Sequence, residues 1–234
     1  MVNVLRWSAL GVGMCTALVL VSGCKDSGGI GGIGAPATAA AGGTSQGGSG
    51  GGGASGGFQC QPSTVSTCLM PMPDNATKPS GKWAKDGAMS KADYIDWYSS
   101  DDAEKARENS TLDQAGFVSA GYTHWQNSHG TQAEVALTSF ASTAGAMRWI
   151  DYDNNTYAED YTKLTSLVPG TYTFQISTAN DDGTWTTVAV GRFGKVVMEV
   201  YVFANSKTDV VAQNNLASWA ATQAGILKRA ASSS

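Results

Sequence analysis

A glycine-rich stretch between residues 25 and 57 limits what this chain can fold into. Fifteen of these 33 residues are glycine, Ala and Ser make up most of the rest, and no periodic apolar pattern is present. Such a composition buries too little apolar surface to offset the entropy of ordering its backbone, so we expect a flexible tether. The 148 residues from 83 to 230 then suffice for one domain that buries about two-thirds of its unfolded surface.

The N-terminus carries the parts of an export signal in the expected order. Arg6 supplies a positive charge, and an apolar run of 13 residues extends from 9 to 21. The small residues Ser22 and Gly23 follow it. Because the apolar run is shorter than the ~20 residues that a transmembrane helix needs, we predict a cleaved signal peptide over residues 1–23.

The residue after this signal is a cysteine, which completes the pattern Val21-Ser22-Gly23-Cys24. The tetrapeptide resembles the lipobox of bacterial lipoproteins. The resemblance implies that the Cys24 thiol receives a diacylglyceryl group, that cleavage makes it the mature N-terminus, and that its amine often takes a further acyl chain such as palmitate. Residues 24–57 are then an acylated cysteine and its tether. The alternatives are a plain cleaved signal with an incidental cysteine, and an uncleaved anchor.

Two further cysteines, Cys60 and Cys68, are separated by seven residues. Disulfides persist in exported proteins, so we predict that this pair forms one. A metal site needs more ligands nearby, and a redox dithiol favours a Cys-x-x-Cys spacing that is absent here. We therefore interpret residues 58–82 as a disulfide clip and a proline-rich lead-in, extended over 69–81, to a globular domain at 83–230.

The first half of that domain has the pattern of a β-hairpin followed by a helix. Residues 117–126 and 131–140 have strand composition, with the turn sequence NSHG between them. Ser142 then precedes a helical apolar pattern and is a favourable N-cap. Two shorter helical stretches follow Ser90 and Ser100, ahead of the hairpin.

The second half repeats this order about 65 residues further along the chain. Residues 185–192 and 195–203 alternate as strands around a tight turn, a further strand at 171–177 begins this half, and Thr208 or Asp209 caps the last helix. The fold class that we predict is α+β, an antiparallel sheet from two pseudo-repeated β-hairpin–helix halves with helices packed on it.

These two halves resemble a group of known proteins. Residues 112–122, the strand that ends at Phe140, Gly191-Arg192 and residues 196–203 are similar to uncharacterised actinobacterial cell-envelope lipoproteins. More distantly, the layout is similar to the extracellular sensor domains of mycobacterial kinases. The resemblance covers residues 112–228, and because it implies no reaction, no catalytic residue is carried over from it.

Charge and tryptophan content bear on the partner and the core. The chain has 15 Lys and Arg against 19 Asp and Glu, and removal of residues 1–23 takes away Arg6, which leaves 14 against 19 and a formal charge of −5. This balance disfavours nucleic acid and predicts no basic patch for anionic lipid headgroups. Six tryptophans between Trp83 and Trp219 indicate a well-filled core, with an aromatic-lined groove as the alternative.

Few groups suit a metal or catalytic site. His124 and His129 lie near Glu134 across the predicted hairpin, as a metal site requires, but we interpret them as a surface strand histidine and a turn histidine. Residues 151–155 (DYDNN) resemble the start of a calcium loop, yet the Gly and Glu that such a loop requires later are absent. The pattern Gly-x-Ser-x-Gly occurs within residues 43–57 of the glycine-rich stretch but not in residues 83–230, so no nucleophile elbow is predicted in the globular domain.

Glu199 interrupts an otherwise apolar strand (VVMEVYVF). We expect it to face solvent, or to pair with Arg192 if a helix covers it, because a buried charge without a partner is costly. Its counterpart in the first hairpin is Glu134 or a neighbour.

The function that we expect is non-enzymatic, without cofactor or metal. Cys24 would hold the chain on the outer face of the bacterial cell membrane, and the domain would bind an unidentified envelope ligand or protein, as a sensor does. The alternatives are an envelope hydrolase with a site assembled from scattered residues, and a purely structural envelope protein.

The disulfide prediction is testable on the purified protein. A non-reducing peptide map should contain one linked peptide with Cys60 and Cys68, and Cys68→Ser should lower the free energy of unfolding by about 2–3 kcal/mol. A map in which both thiols react with an alkylating reagent would contradict the prediction.

Overall fold

One antiparallel sheet of eight strands organises residues 61–78, 86–99, 101–128 and 130–232, the part of the chain that the computed structural model describes. Across the sheet the strands follow the order β1, β3, β4, β8, β7, β6, β5, and β2 also pairs with β3. In chain order they are β1 (Ala76–Thr77), β2 (Gly87–Met89), β3 (Phe117–Asn127), β4 (Gln132–Phe140), β5 (Tyr161–Leu164), β6 (Thr171–Ile176), β7 (Trp185–Phe193) and β8 (Val196–Ala204).

Within these described ranges, four α-helices and one 3₁₀ segment accompany the sheet. They are the 3₁₀ segment Pro62–Cys68, α1 (Lys91–Tyr98), α2 (Asp102–Ala115), α3 (Thr143–Asp160) and α4 (Val210–Ser232). The expected N-cap at Ser142 is confirmed, and of the two alternatives for the last helix it is Asp209 that caps, since each side chain accepts a hydrogen bond from a backbone N–H in the first turn. Ser90 caps α1 in the same way. Helix α2 is capped by Asp101, whose carboxylate accepts from two backbone N–H groups of the first turn.

The α+β class and the two hairpin–helix units are confirmed. Hairpins β3–β4 and β7–β8 meet through the antiparallel pair β4–β8, in which Glu134 lies opposite Tyr201 and Ala136 lies opposite Glu199. This register places the two glutamates, 65 positions apart in the chain, at equivalent places in the two hairpins. The sequence repeat is therefore a local twofold arrangement of strands.

The two faces of the sheet differ in what covers them. The polar face carries Tyr122, Glu134, Glu199 and Tyr201 and is covered by α1, α2 and α3, whereas the apolar face is covered by α4 and the 3₁₀ segment. Helices α3 and α4, which hold equivalent places in chain order, thus pack on opposite faces. The twofold arrangement does not extend from the strands to their helices.

The apolar face has a dry core of aliphatic side chains. Trp125 packs edge-on against Trp219 of α4, with 5.3 Å between ring centroids. Alternation along the strands brings the remaining members of this core to the same face. They include Val135, Leu137, Met198, Val200, Val202 and Leu216.

Residues 61–78, expected as a clip and an extended lead-in, pack into this same core. Val65 and Cys68 are fully buried. The buried Gln223 side chain of α4 donates to the Cys68 carbonyl at 2.8 Å and accepts from the Met70 N–H at 2.7 Å. A buried amide that satisfies two backbone groups ties this segment to α4. The domain as packed therefore includes residues well before position 83.

Several expectations fall on residues outside the described part of the chain. These are the signal peptide, the lipobox cysteine Cys24, the tether, Cys60, Trp83 and His129. The disulfide between Cys60 and the buried Cys68 thus remains a prediction. Trp97, Trp125, Trp149 and Trp219 are buried, as expected for a well-filled core. Across the described ranges, no helix has the length and hydropathy required to span a membrane.

Two helical glycines offer a matched test of the packing. A Cβ at Gly145 would overlap the carbonyl oxygen of Ala115 where α3 crosses the end of α2, whereas a Cβ at Gly225 in α4 would find only the flexible Arg229 side chain, at 3.5 Å. We expect Gly145→Ala to lower the free energy of unfolding by about 1–3 kcal/mol. Gly225→Ala should leave it unchanged or raise it by about 0.5–1 kcal/mol.

Denaturant unfolding of both variants measures the difference. Equal stabilities would contradict the close α2–α3 contact.

Candidate functional site: buried carboxylates on the polar face

Five carboxylates lie beneath or within the helices that cover the polar face. Each is at most 6% exposed, although Asp and Glu are almost never fully buried without partners. They come from four different elements, α2, β4, α3 and β8. We call them the buried carboxylates, and they are Glu104, Glu108, Glu134, Asp153 and Glu199.

Tyrosine hydroxyls supply hydrogen bonds to two of these groups. Tyr201 donates to Glu199 Oε2 at 2.5 Å, and Tyr94 of α1 donates to Glu199 Oε1 at 3.3 Å. Tyr98 of α1 donates to Asp153 of α3, and the Tyr157 and Tyr201 hydroxyls share a hydrogen bond. The network thereby joins α1, α3 and β8.

Serine supplies hydrogen bonds to the two carboxylates of α2. The Ser99 hydroxyl, at the end of α1, lies 3.0 Å from Glu104 Oε2 and 3.1 Å from Glu108 Oε1, and its single proton is donated to one of them at a time. Arg107 lies 3.7 Å from Glu104 on the outer side of α2. The α1–α2 junction is therefore held by polar contacts as well as by packing.

The tyrosines of this network remain protonated donors. Burial raises the pKa values of Tyr94, Tyr157 and Tyr201 well above their ordinary value, and neighbouring carboxylate charges, Glu199 among them, raise them further. Because a neutral tyrosine can donate a hydrogen bond, the raised pKa values keep the donors in place at every physiological pH.

The placement of Glu199 corrects our expectation of a solvent-facing side chain. It is 1% exposed and bonds to tyrosines, while Arg192 donates instead to the Gly194 carbonyl at 3.2 Å. The expectation was wrong because α1 and α3 cover the strand face that Glu199 occupies. Strand alternation shows that Glu199 and its apolar neighbours lie on opposite faces of the strand. It does not show which of the two faces is covered by helices.

The pKa of the buried Glu134 carboxyl is raised toward neutrality. Burial raises its pKa from 4.5 to about 7, and the neighbouring Tyr122 hydroxyl and Trp97 indole N–H oppose this rise. The Trp97 indole N–H donates to Glu134 Oε2 at 3.3 Å. The protonation state of Glu134 is thus linked to the contact between α1 and β4.

His124 lies beside Glu134 and is also buried, which corrects its interpretation as a surface histidine. It is 5% exposed, pairs across the strands with Glu134, and stacks on Tyr122 with ring centroids 5.4 Å apart. Burial lowers its pKa, and the Lys78 charge lowers it further. Its Nδ1 is 3.4 Å from Asp86 Oδ1, but neither ring nitrogen makes an aligned hydrogen bond. His124 is therefore neutral at physiological pH.

The candidate metal groupings do not assemble in the described residues. No set of three His, Cys, Asp or Glu side chains is arranged there to hold a metal ion. Residues 151–155, which resemble a calcium loop, lie within α3 rather than in a loop. Asp153 is buried, and its carboxylate accepts a hydrogen bond from Tyr98.

Comparison with known proteins adds little to this geometry. No protein-family model matches the chain, and no curated protein matches it. Among solved structures, the extracellular domain of PknH from Mycobacterium tuberculosis is similar at 11% identity and a TM-score of 0.38, over 50% of this chain and 69% of that one. A similarity of this size says nothing about function.

The chemistry open to this site follows from its burial. Its acid, base and hydroxyl groups are oriented toward each other, and α1–α3 stand between them and solvent. A substrate would have to displace Trp97 of α1 to reach Glu134. The arrangement suits a hydrogen-bonded core in which the pKa of Glu134 is raised to about 7.

The Glu134 pKa leads to a pH-dependent prediction. Between pH 4.5 and about 7 the folded protein keeps a proton that the unfolded chain releases, so the free energy of unfolding falls as pH rises through this window. We expect Glu134→Gln to remove this loss. The free energy of unfolding of the variant minus that of the parent should therefore rise by about 3 kcal/mol from the lower pH to the higher one.

Denaturant unfolding at both ends of the window measures the gain. Glu159→Gln, at an exposed position of α3, is the control. Its free energy of unfolding should change with pH by the same amount as that of the parent. A gain for Glu134→Gln that does not vary with pH would contradict the raised pKa.

Proposed function

We propose that this protein is a lipid-anchored extracytoplasmic protein whose domain binds an envelope component without catalysing a reaction. The supporting observation is the combination of a lipobox and a glycine-rich tether with a domain whose buried carboxylates and His124 are closed to solvent. The first two elements hold and extend a domain, and the third keeps these carboxylates and His124 away from a substrate in solution. A presented domain of this kind acts through its surface.

The hydrolase alternative needs an activated nucleophile beside His124. Asp86 lies near Nδ1, as an orienting acid would, yet Nε2 makes no hydrogen bond to any described residue. The absence of a hydroxyl partner for Nε2 favours the non-catalytic proposal. We expect the parent protein not to hydrolyse ester, amide or glycoside substrates. Hydrolysis by the parent that is lost in His124→Gln would establish the hydrolase alternative.

Metabolic labelling with an alkyne-bearing palmitate analogue tests the anchor. The parent protein should be labelled and should sediment with membranes, whereas Cys24→Ala should lose the label. Cys15→Ala is a matched control, because Cys15 lies in the apolar run of the predicted signal peptide and should leave with it. Label that persists in Cys24→Ala would contradict the proposal.

Thermal shift measurements test the binding role. A ligand at 100 times its Kd stabilises a domain by about 2.7 kcal/mol, which is readily measured for a domain of this size. Envelope lipids and glycans are the probes, and at least one should raise the melting temperature. A domain that none of them stabilises would favour the purely structural alternative.

A further inference from the structure

His124 lies between two carboxyl groups that come from opposite sides of its strand. Asp86 precedes β2, and its Oδ1 is 3.4 Å from His124 Nδ1. Glu134 is the cross-strand partner of His124 on β4, so the Cβ atoms of the two residues are about 5 Å apart. His124 is 5% exposed, and neither ring nitrogen has a hydrogen-bond partner in the part of the chain that the structure describes. Because buried polar groups are nearly always bonded, this gap requires an explanation.

The number of protons available to these three side chains explains the gap. A neutral imidazole has one N–H donor and one acceptor nitrogen, whereas an ionised carboxylate only accepts. With both carboxyl groups ionised, His124 can donate to one of them but not to both. One added proton supplies the missing donor. A protonated Glu134 carboxyl then donates to one ring nitrogen, while the other ring nitrogen donates to Asp86, and no covalent bond changes.

Glu134 connects these side chains to helix α1. The Trp97 indole N–H donates to Glu134 Oε2 at 3.3 Å, and the Trp97 ring packs on Tyr122 with 5.3 Å between ring centroids. A protonated carboxyl accepts from the indole through one oxygen and donates through the other. On the opposite side, Asp86 forms an ion pair with Lys78, the residue after β1. The row therefore extends from a surface lysine to α1.

Other titratable groups surround this row on the elements packed against it. The four remaining buried carboxylates lie beside tyrosine or serine hydroxyls and make no hydrogen bond to His124. An added proton, rather than one of these groups, therefore completes the hydrogen bonding of His124. The groups are Tyr122 of β3, Glu199 and Tyr201 of β8, Tyr94 and Tyr98 of α1, Glu104 and Glu108 of α2, and Asp153 and Tyr157 of α3.

We propose that Asp86, His124 and Glu134 form a proton-binding cluster, in which uptake of one proton joins the three side chains and holds Trp97 of α1 on the sheet. The raised pKa of Glu134, about 7, places this uptake near neutral pH. The lowered pKa of His124 keeps the proton on Glu134 rather than on the ring. The helical cover of the polar face therefore loosens as the pH rises through neutrality. This device is independent of the anchor and of the ligand proposed above.

NMR of nitrogen-15-labelled histidine and tryptophan side chains tests this proposal on the chain from residue 24, with Cys24→Ala to prevent acylation. Over a titration from about pH 8 to about pH 6, the His124 ring signals and the Trp97 indole signal should move with one common midpoint, because coupled groups titrate together. The chain has only one other histidine, so His129→Gln assigns the ring signals. Separate midpoints, or a Trp97 signal that does not move, would overturn the proposal.

Three variants test the members of the cluster. Glu134→Gln should abolish the pH dependence of the Trp97 signal, because an amide accepts and donates without titrating. Asp86→Asn should lower the midpoint by about one pH unit, a ten-fold loss of proton affinity, because it removes a negative neighbour. His124→Phe should lower the midpoint similarly, because it removes the acceptor for the carboxyl proton.

Asp96→Asn is the matched control for Asp86→Asn. Asp96 is an exposed carboxylate of α1 that pairs with Lys105 at 2.8 Å, so the variant loses the same charge and an ion pair, and its midpoint should equal that of the parent. Melting temperatures establish that each variant is folded. Equal midpoints for the two asparagine variants would overturn the role of Asp86, and an unchanged midpoint in His124→Phe would overturn that of His124.

Discussion

The burial of β8 on both of its faces is the constraint on which the rest of this structure depends. Every position from Val196 to Ala204 is buried, so its one carboxylate, Glu199, has no route to water. A buried charge costs several kcal/mol unless hydrogen bonds surround it. Tyrosines from α1 and β8 provide these bonds, and their raised pKa values keep them as donors. The helical cover of the polar face and the burial of Glu199 are therefore parts of one arrangement.

Helix α1 shows how this arrangement extends outward. Its eight residues are too few for an isolated helix to be stable in water. Its capping box and three inward aromatic side chains, Tyr94, Trp97 and Tyr98, hold it on the sheet. Two of those side chains donate to the carboxylates of Glu199 and Glu134. Because the Glu134 pKa lies near 7, the packing of α1 on the sheet depends on pH in the neutral range.

The acidic side chains of this domain are divided between its interior and its surface. Five carboxylates are buried against the α1–α3 layer, whereas others, such as Asp96, Asp102 and Asp113, are exposed. The formal net charge of −4 conceals this separation, because composition does not distinguish a carboxylate in a hydrogen-bonded core from one in water.

The sequence by itself determined the hairpins, the α3 and α4 caps and the alternation of β4 and β8, because strand period and capping chemistry are local properties. It also determined the lipobox pattern and the tether composition. It missed β5, which follows α3 without a turn residue, and the core role of residues 61–78. Only the tertiary structure decided that α3 and α4 cover opposite faces, which buries Glu199 and His124. Alternation defines two faces of a strand, but what covers each face depends on residues far along the chain.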